Sequence, residues 1–340
     1  MNILLSSAGR RSYLVHYFKM ALEGRGRVIV ANSIADAPAM FVADKAYSIP
    51  YVWEPGYLES VLDICRKEKI GALFSLHDLE GPVLASNREK FLDVGTFPVI
   101  SAPGVIRTCL DKYEMRRFLD QHDIGTPITV LDVEQAQQLI DEGALTFPLI
   151  LKPRFGFGST RIMEAANKHE LLFLYHYIEQ RLDPRVSDYL GVKQGDPEVV
   201  VQEKIAGDEY GIEVVNDLHG NYLGTMQKRK RGMRAGETDS AVTVRISELE
   251  KLGQALSRRL RHIGLLDTDV FHTNGGFRVL ECNPRFGGQY PFSHLADSNV
   301  LHLLLNLLEH GSDGGMNLEY RDGVFGYKDI EVRFGGTEES

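Results

Sequence analysis

The sequence predicts an α/β N-terminal domain built on a parallel sheet, followed by an α+β region whose larger sheet is antiparallel. Three observations lead there. From Asn2 to about Pro103, short β-branched or apolar runs alternate with amphipathic segments, the pattern of a parallel sheet with helices on both faces. Beyond Glu198, strand-like runs follow one another with few helices between them. A chain of 340 residues also exceeds one ordinary core, so two or three packed units are expected.

In the first region, Ile3 to Ser6, Arg27 to Ala31, Ala72 to Ser75 and Phe97 to Ile100 read as strands, and Ser12 to Glu23 and Tyr57 to Lys69 as helices. The loop Ser6-Ser7-Ala8-Gly9-Arg10-Arg11 lies where a doubly wound sheet places a ligand, but it lacks the three-glycine dinucleotide fingerprint. Two readings stay open for it: a tight turn with two solvated arginines, or a substrate-anion site at a helix N-terminus. His77, Asp78 and Glu80 follow the third strand and either contact substrate or cap the next helix.

Asp111 caps a helix over Lys112 to Gln121, with Met115, Phe118 and Leu119 at core spacing and Gly125 and Pro127 as its stop. A second helix, Asp132 to Asp141, precedes the buried strand Phe147 to Lys152, and a third runs from about Asn167 to Gln180. Arg181 to Pro197, polar and with two prolines and two glycines, reads as a long exposed loop.

Glu198 to Gln202, Tyr210 to Val215, Tyr222 to Gln227 and Ala241 to Arg245, with Asp267 to His272 and Phe277 to Cys282, form the expected antiparallel sheet. Helices at Ser247 to His262 and Ser293 to His310 cover it. The stretch beyond Gly311 is glycine-rich, ends acidic at Glu338 and Glu339, and is expected to fray.

Composition removes several classes of function. A net charge of -9 argues against a nucleic-acid partner, which needs a basic footprint. No run approaches the ~20 apolar residues of a membrane span; the longest, Val300 to Leu308, is broken by His302 and Asn306. The N-terminus opens on strand-like Ile3-Leu4-Leu5 rather than a signal peptide, and Cys65, Cys109 and Cys282 lack paired spacing. A cytoplasmic location is the expectation.

Two distant stretches carry the chemistry. Lys152-Pro153-Arg154-Phe155-Gly156-Phe157-Gly158-Ser159-Thr160 closes an apolar strand with a cation and opens a glycine loop whose backbone can approach phosphates. In Glu281-Cys282-Asn283-Pro284-Arg285, strand alternation points Glu281 and Asn283 one way and Cys282 inward. A hairpin turning at Asn274-Gly275-Gly276 brings Asp269 opposite them. Oxygen ligands at this density suit magnesium, with substrate phosphates completing its shell. The bland alternatives are a surface Glu281 at a strand end and an ordinary turn at Asn283-Pro284.

In order and spacing, the segments from Asp111 to Leu308 resemble the ATP-grasp superfamily, and the preceding region resembles the pre-ATP-grasp domain of the carbamoyl phosphate synthase large-subunit branch. The resemblance implies a fold of two subdomains clamping the nucleotide: residues 1–105 form the N-terminal domain, 106–190 the small subdomain with the lid, 191–325 the large subdomain with the metal site, and 326–340 a tail. Lys112 and Lys152 then contact the phosphates, and Gly156, Gly158, Ser159 and Thr160 form a lid over them. Gln202, Glu203, Lys204 and Ile205 form the adenine hinge, and Glu209 binds ribose. Asp269, Glu281 and Asn283 hold Mg2+, while Arg285 faces the transferring phosphoryl group. Glu203 and Lys204 have a plain alternative as an exposed pair, and Asp111-Lys112 as a helix start.

The activity implied is an ATP-dependent carboxylate-amine or carboxylate-thiol ligase working through an acyl phosphate, with small-molecule substrates and a homodimer through the first domain. A single grasp unit excludes a complete carbamoyl phosphate synthase, and aspartate at Asp269, where that branch has glutamine, tilts towards a free-standing ligase. The alternatives are a carboxylase or carbamoyl-phosphate-type kinase acting on bicarbonate or carbamate, and a non-catalytic ATP-binding protein. The basic run Lys228-Arg229-Lys230-Arg231, with Arg234, is either a solvated strand end or a loop facing the active site.

Overall fold

The computed structural model describes residues 1–156, 158, 160–234, 236–330 and 332. The first unit comprises β1 (Asn2–Ser6), α1 (Ser12–Leu22), β2 (Val28–Asn32), α2 (Pro38–Val42), β3 (Lys45–Ser48), α3 (Tyr57–Glu68), β4 (Ile70–Ser75), α4 (Glu80–Ser86), α5 (Arg88–Asp93) and β5 (Phe97–Pro98). Its five strands are all parallel in the order β3-β2-β1-β4-β5. Alternation divides each strand between two cores. Ile3, Leu5, Val28, Val30 and Phe74 pack with α1, whereas Leu4, Ile29 and Leu73 pack with Val61 and Leu62 of α3 and Phe91 of α5. Both faces are therefore buried, as the near-continuous apolar strands require.

The chain continues through α6 (Pro103–Leu110), α7 (Lys112–Gln121), β6 (Thr129–Val130), α8 (Val133–Asp141), β7 (Leu149–Pro153), β8 (Met163–Ala165), α9 (Lys168–Glu179), α10 (Pro184–Leu190) and β9 (Val199–Glu203). Asp111, Asp132 and Asn167 cap α7, α8 and α9, their side chains accepting from first-turn N–H groups. The expected loop at Arg181 to Pro197 contains a helix instead: Asp183 caps α10, Pro184 sits at its first position and Gly191 ends it in the left-handed conformation. The expected stop of α7 is also corrected. Asp123 takes the left-handed turn, and Gly125 serves a close approach, since a Cβ there would lie 2.9 Å from the Phe277 carbonyl oxygen.

The last part holds β10 (Asp208–Asn216), β11 (Tyr222–Arg234), β12 (Glu237–Val244), α11 (Ser247–Leu260), β13 (Leu265–Thr273), β14 (Gly276–Asn283), α12 (Tyr290–Leu295), α13 (Val300–His310) and β15 (Phe325–Tyr327). Its antiparallel sheet runs β14-β13-β10-β11-β12-β15, while β9 joins a four-stranded sheet in the order β6-β9-β7-β8. The run Glu198 to Gln202 thus belongs to the smaller sheet, because its partners are Leu149 to Pro153 and Thr129-Val130. The single helix expected over Ser293 to His310 breaks at Asp297, which has φ 57°. The stretch beyond Gly311 is anchored by buried Tyr320 and by β15 pairing with β12, so Gly326 and Tyr327 are strand rather than tail. Glu338 and Glu339 lie outside the described residues.

One contact ties the N-terminal domain to the segment after β14. Phe286 is 3% exposed and sits in the α1 core, its ring centroid 5.8 Å from that of Phe18 and 6.1 Å from that of Phe74. Burying such a ring stabilises by roughly 2–3 kcal/mol, and it brings the neighbouring Arg285 to Asp78 in the loop beyond β4.

Candidate active site

The β13–β14 hairpin sets the register of the site. Asp269 stands opposite Glu281, Thr268 opposite Cys282 and Asp267 opposite Asn283, with a bulge between Asp269 and Val270. Alternation therefore puts Asp267, Asp269, Glu281 and Asn283 on one face, while Thr268 and Cys282 are buried on the other. Burial pushes the Glu281 carboxyl up, but Lys112 and Lys152 outweigh it and hold it below its ordinary value. The same pairing acts on the lysines. Burial brings the Lys152 ammonium down to about 8 against the pull of Glu281, and lowers that of Lys112.

Local hydrogen bonding explains where the lysines point. Asp111 caps α7 and also receives the Arg154 guanidinium, Nε to Oδ1 at 2.8 Å and the second nitrogen to Oδ2 at 2.6 Å. This clamps the start of the glycine loop to the helix carrying Lys112, whose ammonium donates to the Gly156 carbonyl. Lys152, on β7, is 3% exposed. Gly158 adopts φ 60°, a conformation glycine favours, and Gly158 and Thr160 are exposed. Ser159 lies outside the described residues.

The residues expected at the hinge have partners of their own. Gln202 is buried and donates to the Thr129 hydroxyl at 2.9 Å. Glu203 accepts two bonds from Arg278, at 2.7 and 2.6 Å, and one from the Ile128 N–H at 3.0 Å. Lys204 is exposed and pairs with Glu164, and Ile205 is half-buried. Glu209 is bound by Lys230, whose ammonium lies 2.6 Å from it and 2.7 Å from Asp269.

That contact resolves the basic run. It lies within strand β11, so its side chains alternate: Lys228 and Lys230 turn inward to Glu213 and to Glu209 with Asp269, while Arg229 approaches Asp208 and Arg231 lies over the Phe325 ring. Arg234 pairs with Asp239.

Arg285 grips Asp78 with two hydrogen bonds, at 2.7 and 2.8 Å, and lies 3.6 Å from Asp267. Burial lowers its basicity, but Asp78 more than restores it. Asp267 and Gln289 escaped the sequence reading. Burial, helped by Asp269, pushes the Asp267 carboxyl up to about 7. Gln289 donates to it and packs over Gly211, where a Cβ would lie 1.4 Å from the Gln289 oxygen. The one available signal was the i, i+2 spacing of Asp267 and Asp269; their burial depends on tertiary packing.

Part of this set lines a cleft of about 600 Å³, counting space open to solvent: Ser75 and Asp78 from the N-terminal domain, Lys112, Gly156, Glu281, Asn283 and Arg285. Two carboxylates and an amide oxygen form a hard donor set that fits magnesium, which binds through one or two carboxylates with phosphate oxygens. Among the described residues, no group of three or more His, Cys, Asp or Glu side chains stands ready to hold an ion.

Residues 109–289 match the family model described as the ATP-grasp domain, and residues 3–100 match the PylC-like N-terminal domain. The chain is 23% identical over 251 residues to the carbamoyl phosphate synthase large chain of Helicobacter pylori, covering 71% of this chain and 22% of that one. It thus spans about a fifth of that relative's length. Among solved structures, biotin carboxylase from Campylobacter jejuni superposes with a TM-score of 0.69 at 15% identity, covering 91% of this chain and 70% of that one. The L-amino acid ligase from Bacillus licheniformis gives 0.68 at 18% identity, covering 91% and 75%.

Proposed function

The chain belongs to the ATP-grasp family, and from that premise we propose that it is an ADP-forming ligase joining a carboxylate to an amine or thiol through an acyl phosphate. The cross-strand pair Asp269 and Glu281, with Lys112 and Lys152 close enough to Glu281 to hold its carboxyl ionised, carries the proposal. A carboxylate oxygen bonds to the γ-phosphorus as the bond to the bridging oxygen of ADP breaks. The nucleophile then bonds to the acyl carbon as phosphate leaves with the electron pair.

Lys112 and Lys152 neutralise phosphate oxygens, and Gly156, Gly158, Ser159 and Thr160 cover them and exclude water. Gln202 to Ile205 border the adenine; because Arg278 holds the Glu203 carboxylate, Glu203 offers its backbone groups. Glu209 meets the ribose. Asp269, Glu281 and Asn283 would hold Mg2+, which when bound offsets charge on the phosphates. Arg285 stabilises charge developing on the phosphoryl group. Residues 1–105 serve as the N-terminal domain, and because β9 lies in the smaller sheet, the small subdomain extends past residue 190 to Glu203.

The same reading carries small-molecule substrates, a cytoplasmic setting and a homodimer through the first domain, where Met20 and Phe41 are exposed. No helix among the described residues is long and apolar enough to cross a membrane. Similarity to carbamoyl phosphate synthase favours one rival, activation of bicarbonate or carbamate. A screen of carboxylates against amines and thiols for ADP release with Mg2+ tests the proposal. Release that needs both partners supports it; release driven by bicarbonate alone transfers the case to the rival.

A further inference from the structure

The loop after β1 presents Arg10 and Arg11, and the mechanism above uses neither. The structure separates them: Arg10 is exposed, whereas Arg11 is half-buried and donates to the Leu76 carbonyl. A guanidinium has five N–H donors, and this is the one hydrogen bond found for the Arg11 guanidinium among the described residues. The nearby acids serve other groups. Asp78 is taken by Arg285, Asp267 by Gln289 and Arg285, and Glu237 by Lys328 at 3.1 Å. Arg285 itself acts on Arg11 as a like charge. Arg11 also occupies the cap position of α1 without a capping side chain, so first-turn N–H groups of that helix reinforce the positive end.

Position decides what Arg11 meets. Arg11 reaches the Leu76 carbonyl, between Ser75 and His77 of the cleft wall, and interacts with the charges of Arg285 and Asp78 on that wall, so it stands beside the cleft on its N-terminal-domain side. Glu281 also lines the cleft, and in the ligase reading the donor carboxylate is phosphorylated beside it. A second anion, on the amine acceptor, is what an under-used guanidinium at this end would bind.

We propose that Arg11 is a specificity-determining residue that binds a carboxylate carried by the acceptor, which makes the acceptor an amino acid. This rests on the ligase reading. The test uses the full chain with MgADP in calorimetry and thermal melts, titrated with L-amino acids and, in parallel, their carboxamides. At least one free acid is expected to bind, its carboxamide about tenfold or more weakly, the cost of a lost charged hydrogen bond. Arg11→Gln is expected to weaken the acid by a similar factor and leave the carboxamide unchanged, with Arg11→Lys restoring part. MgATP affinity is expected to hold in both variants, which also reports that they fold.

Acid and carboxamide binding alike, wild-type affinity in Arg11→Gln, or no amino acid bound at all would each overturn the proposal. Amino acid binding through Arg11 without ADP release from any pair would leave the Arg11 site standing and sink the ligase reading.

Discussion

Arg285 and Asp78, 207 positions apart, close a two-point ion pair between the segment after β14 and the N-terminal domain, with each side chain 14% exposed. The pair joins Arg285 to the loop beyond β4, so the N-terminal domain forms part of the cleft wall.

Asp78→Asn keeps the shape and removes the charge, leaving a shielded guanidinium short of its partner. A loss of about 3 kcal/mol in urea unfolding is expected, because breaking a shielded pair costs more than the intact pair contributes. Arg285→Met alone should also destabilise, and the double variant should lose less than the sum of the two. Strict additivity in that cycle would show the pair to be uncoupled.

Glu281→Gln removes one proposed metal oxygen without changing volume, and it strips Lys112 and Lys152 of the carboxylate that faces them. ADP release should drop at least a hundredfold while the melting temperature stays within a few degrees of wild type. Wild-type turnover at saturating Mg2+ would remove Glu281 from the mechanism.

His262 is fully buried, with Nε2 3.1 Å from the Val214 carbonyl, and burial brings its imidazole down to about 4. Between about 4 and 6.5 the unfolded chain binds a proton that the folded chain refuses, so this group's contribution is lost as pH falls through the window. Its size is about 3 kcal/mol. Asp267, raised to about 7, has the opposite sign in the same range, since its folded form holds a proton the unfolded form has released. The readout is therefore the difference in unfolding free energy between wild type and His262→Gln, which should narrow as pH drops from 6.5 to 4. A constant difference would mean that His262 does not titrate as stated.

Features written in local pattern were legible. Asp111, Asp132 and Asn167 announced their helices, and Asn274-Gly275 announced the hairpin that sets Asp269 against Glu281. Sheet membership was not, because the apolar run at β9 looks the same whichever sheet it joins. Nor did four basic residues in a row disclose that Lys228 and Lys230 turn inward, since their acidic partners lie 15 to 39 positions away. Arg285 stood out in the Glu281-to-Arg285 string, yet its partner Asp78 was not readable, because that contact goes with Phe286 finding the α1 core.

Lys230 offers a test of the metal set itself. It is 9% exposed and bridges Glu209 and Asp269, so it supplies the positive charge that lets these carboxylates stand near Glu281. Lys230→Met keeps the apolar stem and removes that charge, leaving acids that repel one another. A loss of about 3 kcal/mol is expected in EDTA. A divalent ion binding the folded state alone then restores stability in proportion to its affinity. Because the competing ammonium on Asp269 is gone, Mg2+ should raise the melting temperature of the variant more than that of wild type. Equal shifts in the two proteins would mean that Asp269 is not a ligand, whatever becomes of turnover.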